Sequence, residues 1–440
     1  MSKMPRILIF GQSFSESSGG GITLTNLFKG WPKDSLASTF IAWENSSFDT
    51  NICDNYYVIG SAEHRWMFPL NLMKKPFPDS GPISIKVEPG NHFNPHKPFF
   101  RGAISNIINP ILRWMGFYHL ASNVSLSGPL KTWIRIFNPE LLYLQVSTLE
   151  GIDFACQLIE FCSVPTVLHM MDDWLSTLGR NFLLLNYWNK RVNRQFLGLL
   201  KRIDLCLAIS DAMAIEYEKR YGRRFVAFHN PVEIGDITTK DAIASESDIL
   251  SFRVLYVGRI GTANRQSIIS FAKAISGRNS NGKEIKFDLF SKDFNERSLR
   301  CIKKLKAVRL NKPVSHDHIP ALLSEYDLLL LPLDFTANGI RFSKLSMPSK
   351  AAEYMASGTP ILVLAPRVTA ILRFFIENDC GFTITRCSPS NIRSTMDYIV
   401  ENKELRKQLS KNAINIAKEK FEAGIVRTRF QDSLVQLLIK

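Results

Sequence analysis

Residues 347–360 read MPSKAAEYMASGTP, and the second half of the chain makes sense around them. Pro348 suits the first position of a helix, where its fixed φ fits and its missing N–H costs nothing. Gly358 is a left-handed stop, and Pro360 just beyond it prevents continuation. The spacing therefore predicts a helix of about three turns with one small face, Ser349, Ala352 and Ala356. Before it come an apolar strand over 327–333 and a polar, basic turn over 338–344, NGIRFSK. A strand, a basic turn and a helix N-terminus make an anion site, because the free N–H groups of Ser349 and Lys350 point outward with the positive end of the dipole. Glu353 lies one turn in, on the side of Ser349, placed to accept hydrogen bonds from a pair of sugar hydroxyls. A capped helix with a solvent-facing glutamate is the plainer alternative.

The same half opens with RVLYVGR over 253–259, followed by GTANR over 261–265. Arg259 and Arg265 flank a glycine-containing turn and can both reach one diphosphate, each charge-assisted bond being worth roughly 1.5–3 kcal/mol. Arginine at 265 also permits bidentate contact. Two surface arginines would look the same in sequence. Further strands are expected over 286–291, 306–310, 327–333, 360–365 and 381–384, with helices between them. This alternation predicts a doubly wound, mostly parallel sheet.

In the first half, RILIF over 6–10 reads as a buried strand, followed by a loop ending in Gly19, Gly20 and Gly21, and then a helical pattern over 22–28. Strand, glycine loop and helix is a phosphate-cradling order, because glycines let backbone N–H groups approach an anion closely. It is neither GxGxxG nor a Walker loop, and a merely flexible loop fits it too. Residues 40–140 interleave aromatic and basic side chains, with an amphipathic helix over 104–117 interrupted by Pro110. Such a surface suits a lipid interface or, equally, the core-facing side of ordinary helices. Clear signals return with a strand over 141–146, a helix over 151–162, and a strand over 165–169 running into HMMDDW. His169, Asp172 and Asp173 thus sit at the carboxyl end of a strand, where α/β domains bind ligands. The histidine can also be structural, and the aspartates can hold a metal, contact hydroxyls or cap a helix. Residues 181–202 form a basic amphipathic helix, facing either a membrane or lipid-linked acceptor or simply solvent. A strand at 203–209, a helix opened by Ser210 and Asp211, and HNPVE at 229–233 close this half, and 234–250 is linker-like.

A length of 440 residues predicts two domains. The boundaries expected are 1–240 and 241–422, with a final helix over 423–440 crossing back to the first domain. With 45% apolar and 22% charged residues the composition is globular. There is no apolar run of about 18 residues to span a bilayer. MSKMPRILIF enters a strand almost at once and lacks a signal-peptide pattern. The seven cysteines are scattered without a CxxC, which points away from zinc and disulfides and toward a reduced cytosolic location. The net charge of +15 favours anionic partners. No nucleic-acid motif accompanies it, so a membrane surface or a pyrophosphate-bearing substrate fits better.

The segment 348–366, PSKAAEYMASGTPILVLAP, resembles the donor-binding segment of retaining nucleotide-sugar glycosyltransferases of the GT-B fold, specifically glycosyltransferase family 4 (group 1). The resemblance extends over most of the C-terminal half and thinly into the N-terminal half. It implies an α/β architecture of two Rossmann-like, doubly wound domains facing a central cleft, closing over a nucleotide-diphosphate sugar. It implies that Arg259, Arg265 and the helix end at Ser349 and Lys350 neutralise the diphosphate. Glu353 would hold the ribose, and the backbone near Val314 the base. His169 would contact the donor sugar, Asp172 and Asp173 acceptor hydroxyls, and Gly19, Gly20 and Gly21 would lie near donor phosphate and acceptor. Front-face substitution with retention is implied, the leaving phosphate helping to deprotonate the acceptor, with no cofactor and no metal. The acceptor implied is a glycan or lipid carrier of bacterial surface polysaccharide assembly, with the enzyme in the cytoplasm at the inner face of an anionic membrane. Glu353 stands where the second of the family's paired glutamates falls, but Leu345 occupies the first position. The chain follows instead the pattern in which a Ser/Thr-Lys pair opens the helix. Alternatives are an inactive GT-B protein binding membranes or polyanions, and a GT-B sugar-nucleotide epimerase.

Overall fold

The structure is a computed structural model that describes residues 4–15, 19–41, 48–68, 71, 77–83, 122–177, 184–235, 251–277, 279–280, 282–292 and 299–439. The chain forms two compact units, one of Met1–Phe228 with Arg427–Lys440 and one of His229–Val426. The expected helix over 104–117 and most of the expected linker lie outside the described residues.

Unit 1 is built on strands β1 (Ile7–Phe10), β2 (Leu36–Ile41), β3 (Asn55–Ile59), β4 (His64–Trp66), β5 (Gly81–Pro82), β6 (Ser122–Val124), β7 (Leu141–Leu144), β8 (Thr166–Met170), β9 (Leu205–Ala208) and β10 (Phe225–Ala227). The main sheet runs β10-β9-β8-β7-β1-β2-β3-β5, parallel except for β5. β1, β7 and β8 are buried along their whole length, which is why they read as continuous apolar runs rather than alternating ones. The chain leaves β1 toward β2 and β3, then returns on the other side of β1 with β7. That reversal puts a switch point at β1 and β7. Gly11 turns the chain there with φ +100, and a Cβ on it would come within 2.0 Å of the Gln145 carbonyl oxygen. The helices Leu149–Cys162 and Asp211–Tyr221 begin with hydroxyl caps from Thr148 and Ser210. The closing helix, Ala423–Val435, brings Phe430 edge-on to Phe28 at 5.1 Å and Phe228 at 5.4 Å in this core.

β4 and β6 pair antiparallel beside the main sheet. His64 on β4 is buried, its ring stacked on Phe77 at 3.5 Å, and burial lowers its pKa to about 4.

Unit 2 contains β11 (Ser251–Val257), β12 (Asn279–Ser280), β13 (Lys283–Phe290), β14 (Val308–Asn311), β15 (Leu328–Pro332), β16 (Ile361–Leu364) and β17 (Phe382–Ile384). β13, β11, β15, β16 and β17 follow one another in parallel; β14 pairs parallel with β13, and β12 antiparallel with it. Successive residues of β11 feed opposite cores: Phe252, Val254 and Tyr256 one, Leu255 and Val257 the other. The order reverses between β11 and β15, giving unit 2 its own switch point. Both sheets are thus doubly wound, as the alternation of strands and helices predicts.

Two local readings are corrected. Gly19, Gly20 and Gly21 are not a loop but the first turn of the helix Gly19–Phe28. At Gly20 a Cβ would come 3.0 Å from Gln12 Oε1, whereas at Gly19 it would meet nothing within 4 Å. Residues 338–344 are not a turn; Ala337–Ser343 is helical. Thr336 caps it through Gly339 N at 3.1 Å, an N-terminal signal the basic composition concealed.

Candidate functional site

The helix Ser349–Ser357 opens after Pro348, which is its N-cap rather than its first residue, and stops at Gly358 with φ +77. Lys350 and Tyr354, four residues apart, share a face, and both reach the end of β11. Tyr354 is fully buried and its hydroxyl accepts the Val257 N–H at 3.1 Å. Lys350 is half-buried and its Nζ donates to Tyr256 Oη at 3.1 Å, lying 4.6 Å from the centre of that ring. The ammonium lodges against Gly258, where a Cβ would sit 2.1 Å from Nζ. Gly258 has φ +133, so it supplies both the turn and the space.

Tyr256 Oη is a hub. It donates to the Arg259 carbonyl at 2.5 Å and accepts from Asn264 Nδ2 at 2.7 Å as well as from Lys350. Asn264 also holds Gly261 N at 3.0 Å through its carbonyl oxygen. One phenol thereby fixes the turn that carries Arg259 and delivers Arg265. Arg259 is exposed; Arg265 is half-buried at the start of the helix Arg265–Ile275. Its charge acts on Asp334, a buried carboxylate that accepts the Ser267 N–H at 2.8 Å. Burial raises the pKa of Asp334, while the Ser267 and Gln266 N–H groups and Arg265 pull the other way. The N-terminus of that helix is therefore already capped by protein. A Cβ on Gly339 would strike Asp334 Cβ at 2.4 Å, so this wall is tightly packed.

The other unit 2 residues singled out in sequence differ in exposure. Ser349 and Glu353 are half-buried in the first two turns of their helix. Val314 is half-buried in the segment after β14, before the short turn His316–His318. Leu345 is buried, 3% exposed, a core side chain where a carboxylate would have been costly.

In unit 1, His169 is fully buried near the end of β8, with Nδ1 2.5 Å from Tyr143 Oη. Asp172 is half-buried, its carboxyl pushed up by burial and by Asp173. Asp173 is committed internally: Arg220 Nη1 contacts both carboxylate oxygens at 3.0 Å, Tyr217 Oη donates at 2.9 Å and Ser176 Oγ at 2.6 Å. The acceptor-contact reading of Asp173 gives way to this ion pair, in which the carboxylate is buried and Arg220 reaches in from the surface, tying the helix Asp211–Tyr221 to the end of β8. Of the glycines, Gly19 is exposed, Gly20 half-buried and Gly21 buried.

Sequence reading missed Tyr256, Asn264, Asp334 and Tyr143. A tyrosine inside an apolar strand carries one usable signal, that its hydroxyl must find a partner when buried. Among the described residues no helix is long and apolar enough to cross a membrane, and no group of three or more His, Cys, Asp and Glu side chains is placed to hold a metal ion.

Residues 251–402 match the family described as Glycosyl transferases group 1. No curated protein matches the chain by sequence. Among solved structures, HepE of Anabaena in complex with UDP and glucose has a TM-score of 0.63 at 16% identity, over 98% of this chain and 100% of that one. Sucrose-phosphate synthase from Thermosynechococcus elongatus gives 0.63 at 11% identity, over 98% and 99%. WaaG, a glycosyltransferase involved in lipopolysaccharide biosynthesis, gives 0.56 at 11% identity, over 97% and 99%. Identities this low speak for the fold, and the family match speaks for unit 2. The chain has the GT-B fold, and residues 251–402, within its second unit, match the group 1 glycosyltransferase family.

Proposed function

We propose that this chain is a glycosyltransferase, which takes its sugar from a nucleoside-diphosphate donor, most readily a UDP-sugar, and transfers it with retention to a hydroxyl of a bacterial surface glycan or its lipid-linked precursor. The observation that carries the donor assignment is the Lys350 ammonium lodged beneath Gly258 at the switch point of unit 2. Arg259, Arg265 and the N–H groups at Ser349 are assigned to the same diphosphate. Preorganised charge of this kind stabilises a leaving diphosphate without reorganising during the reaction. These charges are assigned the role a metal would otherwise play. Glu353 is assigned to the ribose and Val314 to the base. In unit 1, His169 is assigned to the transferred sugar, Asp172 to the acceptor, and the helix end at Gly19, Gly20 and Gly21 to anionic or hydroxyl groups of the substrates.

HepE, solved with UDP and with UDP-glucose, supports the choice of uridine. WaaG, with its role in lipopolysaccharide biosynthesis, supports the class of acceptor. The net charge of +15 supports association with the anionic inner face of a cytoplasmic membrane. Thermal shifts with UDP, GDP, ADP and CMP test the reading on wild type and Arg265→Ala. Stabilisation of several degrees by UDP, reduced in the variant, is the expected result. No shift with any of the four would overturn it.

A further inference from the structure

Tyr143 and His169 are brought together by strand register. Val167 is the partner of Tyr143 across β7 and β8, and His169 stands two residues farther along β8, so both side chains emerge on one face. Tyr143 Oη and His169 Nδ1 are 2.5 Å apart, and the rings meet edge-on at 5.9 Å and 90°. Both residues are fully buried. Phe28 at 5.2 Å and Phe430 at 6.0 Å pack edge-on against the tyrosine ring and hold it in place.

A phenol so placed keeps its proton. Burial moves the Tyr143 pKa well above its ordinary value, and the Gln145 side chain opposes this only in part. A hydroxyl has one proton to give, and an imidazole nitrogen that accepts it must be unprotonated. The other nitrogen then carries the ring's hydrogen.

We propose that Tyr143 is a positioning residue that holds His169 as the neutral Nε2–H tautomer, so that His169 offers the sugar a hydrogen-bond donor and not a base. The functional part rests on the assignment of His169 to the transferred sugar. It has a chemical consequence. A ring with its proton on Nε2 and its Nδ1 engaged has no lone pair free to take the acceptor's proton. Deprotonation is then left to the departing phosphate, while His169 orients a sugar oxygen.

The test is a long-range 1H–15N spectrum of full-length protein with ring-15N histidine, recorded for wild type, for His169→Gln to assign the signals, and for Tyr143→Phe. The expected wild-type result is a pyridine-type Nδ1 and a pyrrole-type Nε2 for His169. In Tyr143→Phe the Nδ1 signal shifts as its donor is lost. kcat falls roughly 10-fold, about the worth of one orienting hydrogen bond, with donor KM unchanged. A pyrrole-type Nδ1 in wild type, or identical His169 signals in both proteins, would overturn the proposal. The wild-type spectrum decides the tautomer by itself if Tyr143→Phe does not fold. Wild-type transfer rates in His169→Ala would overturn the role of Tyr143 in transfer, whatever the tautomer.

Discussion

The hydroxyl of Tyr143 in unit 1 meets an imidazole nitrogen inside an aromatic cage, whereas that of Tyr256 in unit 2 joins a carbonyl, an amide and an ammonium. Both phenols lie near the carboxyl ends of strands beside a switch point. The first chooses a protonation form, which is a matter of one hydrogen. The second fixes a turn and parks a charge, which is a matter of geometry. On the proposed reading, charge neutralisation falls to unit 2 and a neutral, oriented donor to unit 1.

Gly258→Ala should break the unit 2 half most severely. A side chain at φ +133 is strained by about 1–3 kcal/mol, and its Cβ would also displace Lys350 Nζ. Donor affinity by calorimetry should fall roughly 100-fold or more. Lys350→Ala removes the charge but leaves the turn, so a loss of roughly 10- to 100-fold is expected, matching one charge-assisted bond. Tyr256→Phe is the finer probe: Lys350 keeps the ring face but loses the hydroxyl, the turn loses its bonds to the Arg259 carbonyl and Asn264, and donor affinity should fall about 5- to 10-fold. Tyr143→Phe should leave donor affinity where it was. Equal losses in the two tyrosine variants would erase the distinction between the regions.

Acid should separate the units more gently. His64 in unit 1 has its folded pKa lowered by burial to about 4, below the ordinary 6.5. The unfolded chain therefore binds more protons within that window. Stability should fall as pH drops from about 6.5 toward 4 and level off below it. Glu150 lies 3.9 Å from Nε2, and an ionised carboxylate there opposes the effect of burial. Urea unfolding followed across this range should show the decline, and His64→Phe, which keeps the stack on Phe77, should remove it.

Much of this architecture was legible in sequence, for identifiable reasons. Buried parallel strands such as ILIF and LLLLP announce themselves as unbroken apolar runs, and Gly358 with Pro360 marks a helix end whatever the tertiary context. The cations were legible too, because Arg259, Arg265 and Lys350 stand beside glycine and proline signals. What was hidden depends on contacts between distant residues. Asp334 caps a helix that starts near residue 265, and Asp173 is consumed by Arg220, a pairing that spacing does not reveal. Tyr143 and His169 meet only because β7 and β8 pair in one register. The Thr336 cap was readable and was outweighed by the polar composition that follows it.

The most direct test of the account is calorimetric titration of UDP into wild type, Lys350→Ala and His169→Ala. The account predicts binding by wild type, a roughly 10- to 100-fold loss in Lys350→Ala, and wild-type affinity in His169→Ala. Unchanged affinity in Lys350→Ala, or a loss in His169→Ala as large as that expected for Lys350→Ala, would contradict the placement of the diphosphate on the Gly258 turn of unit 2.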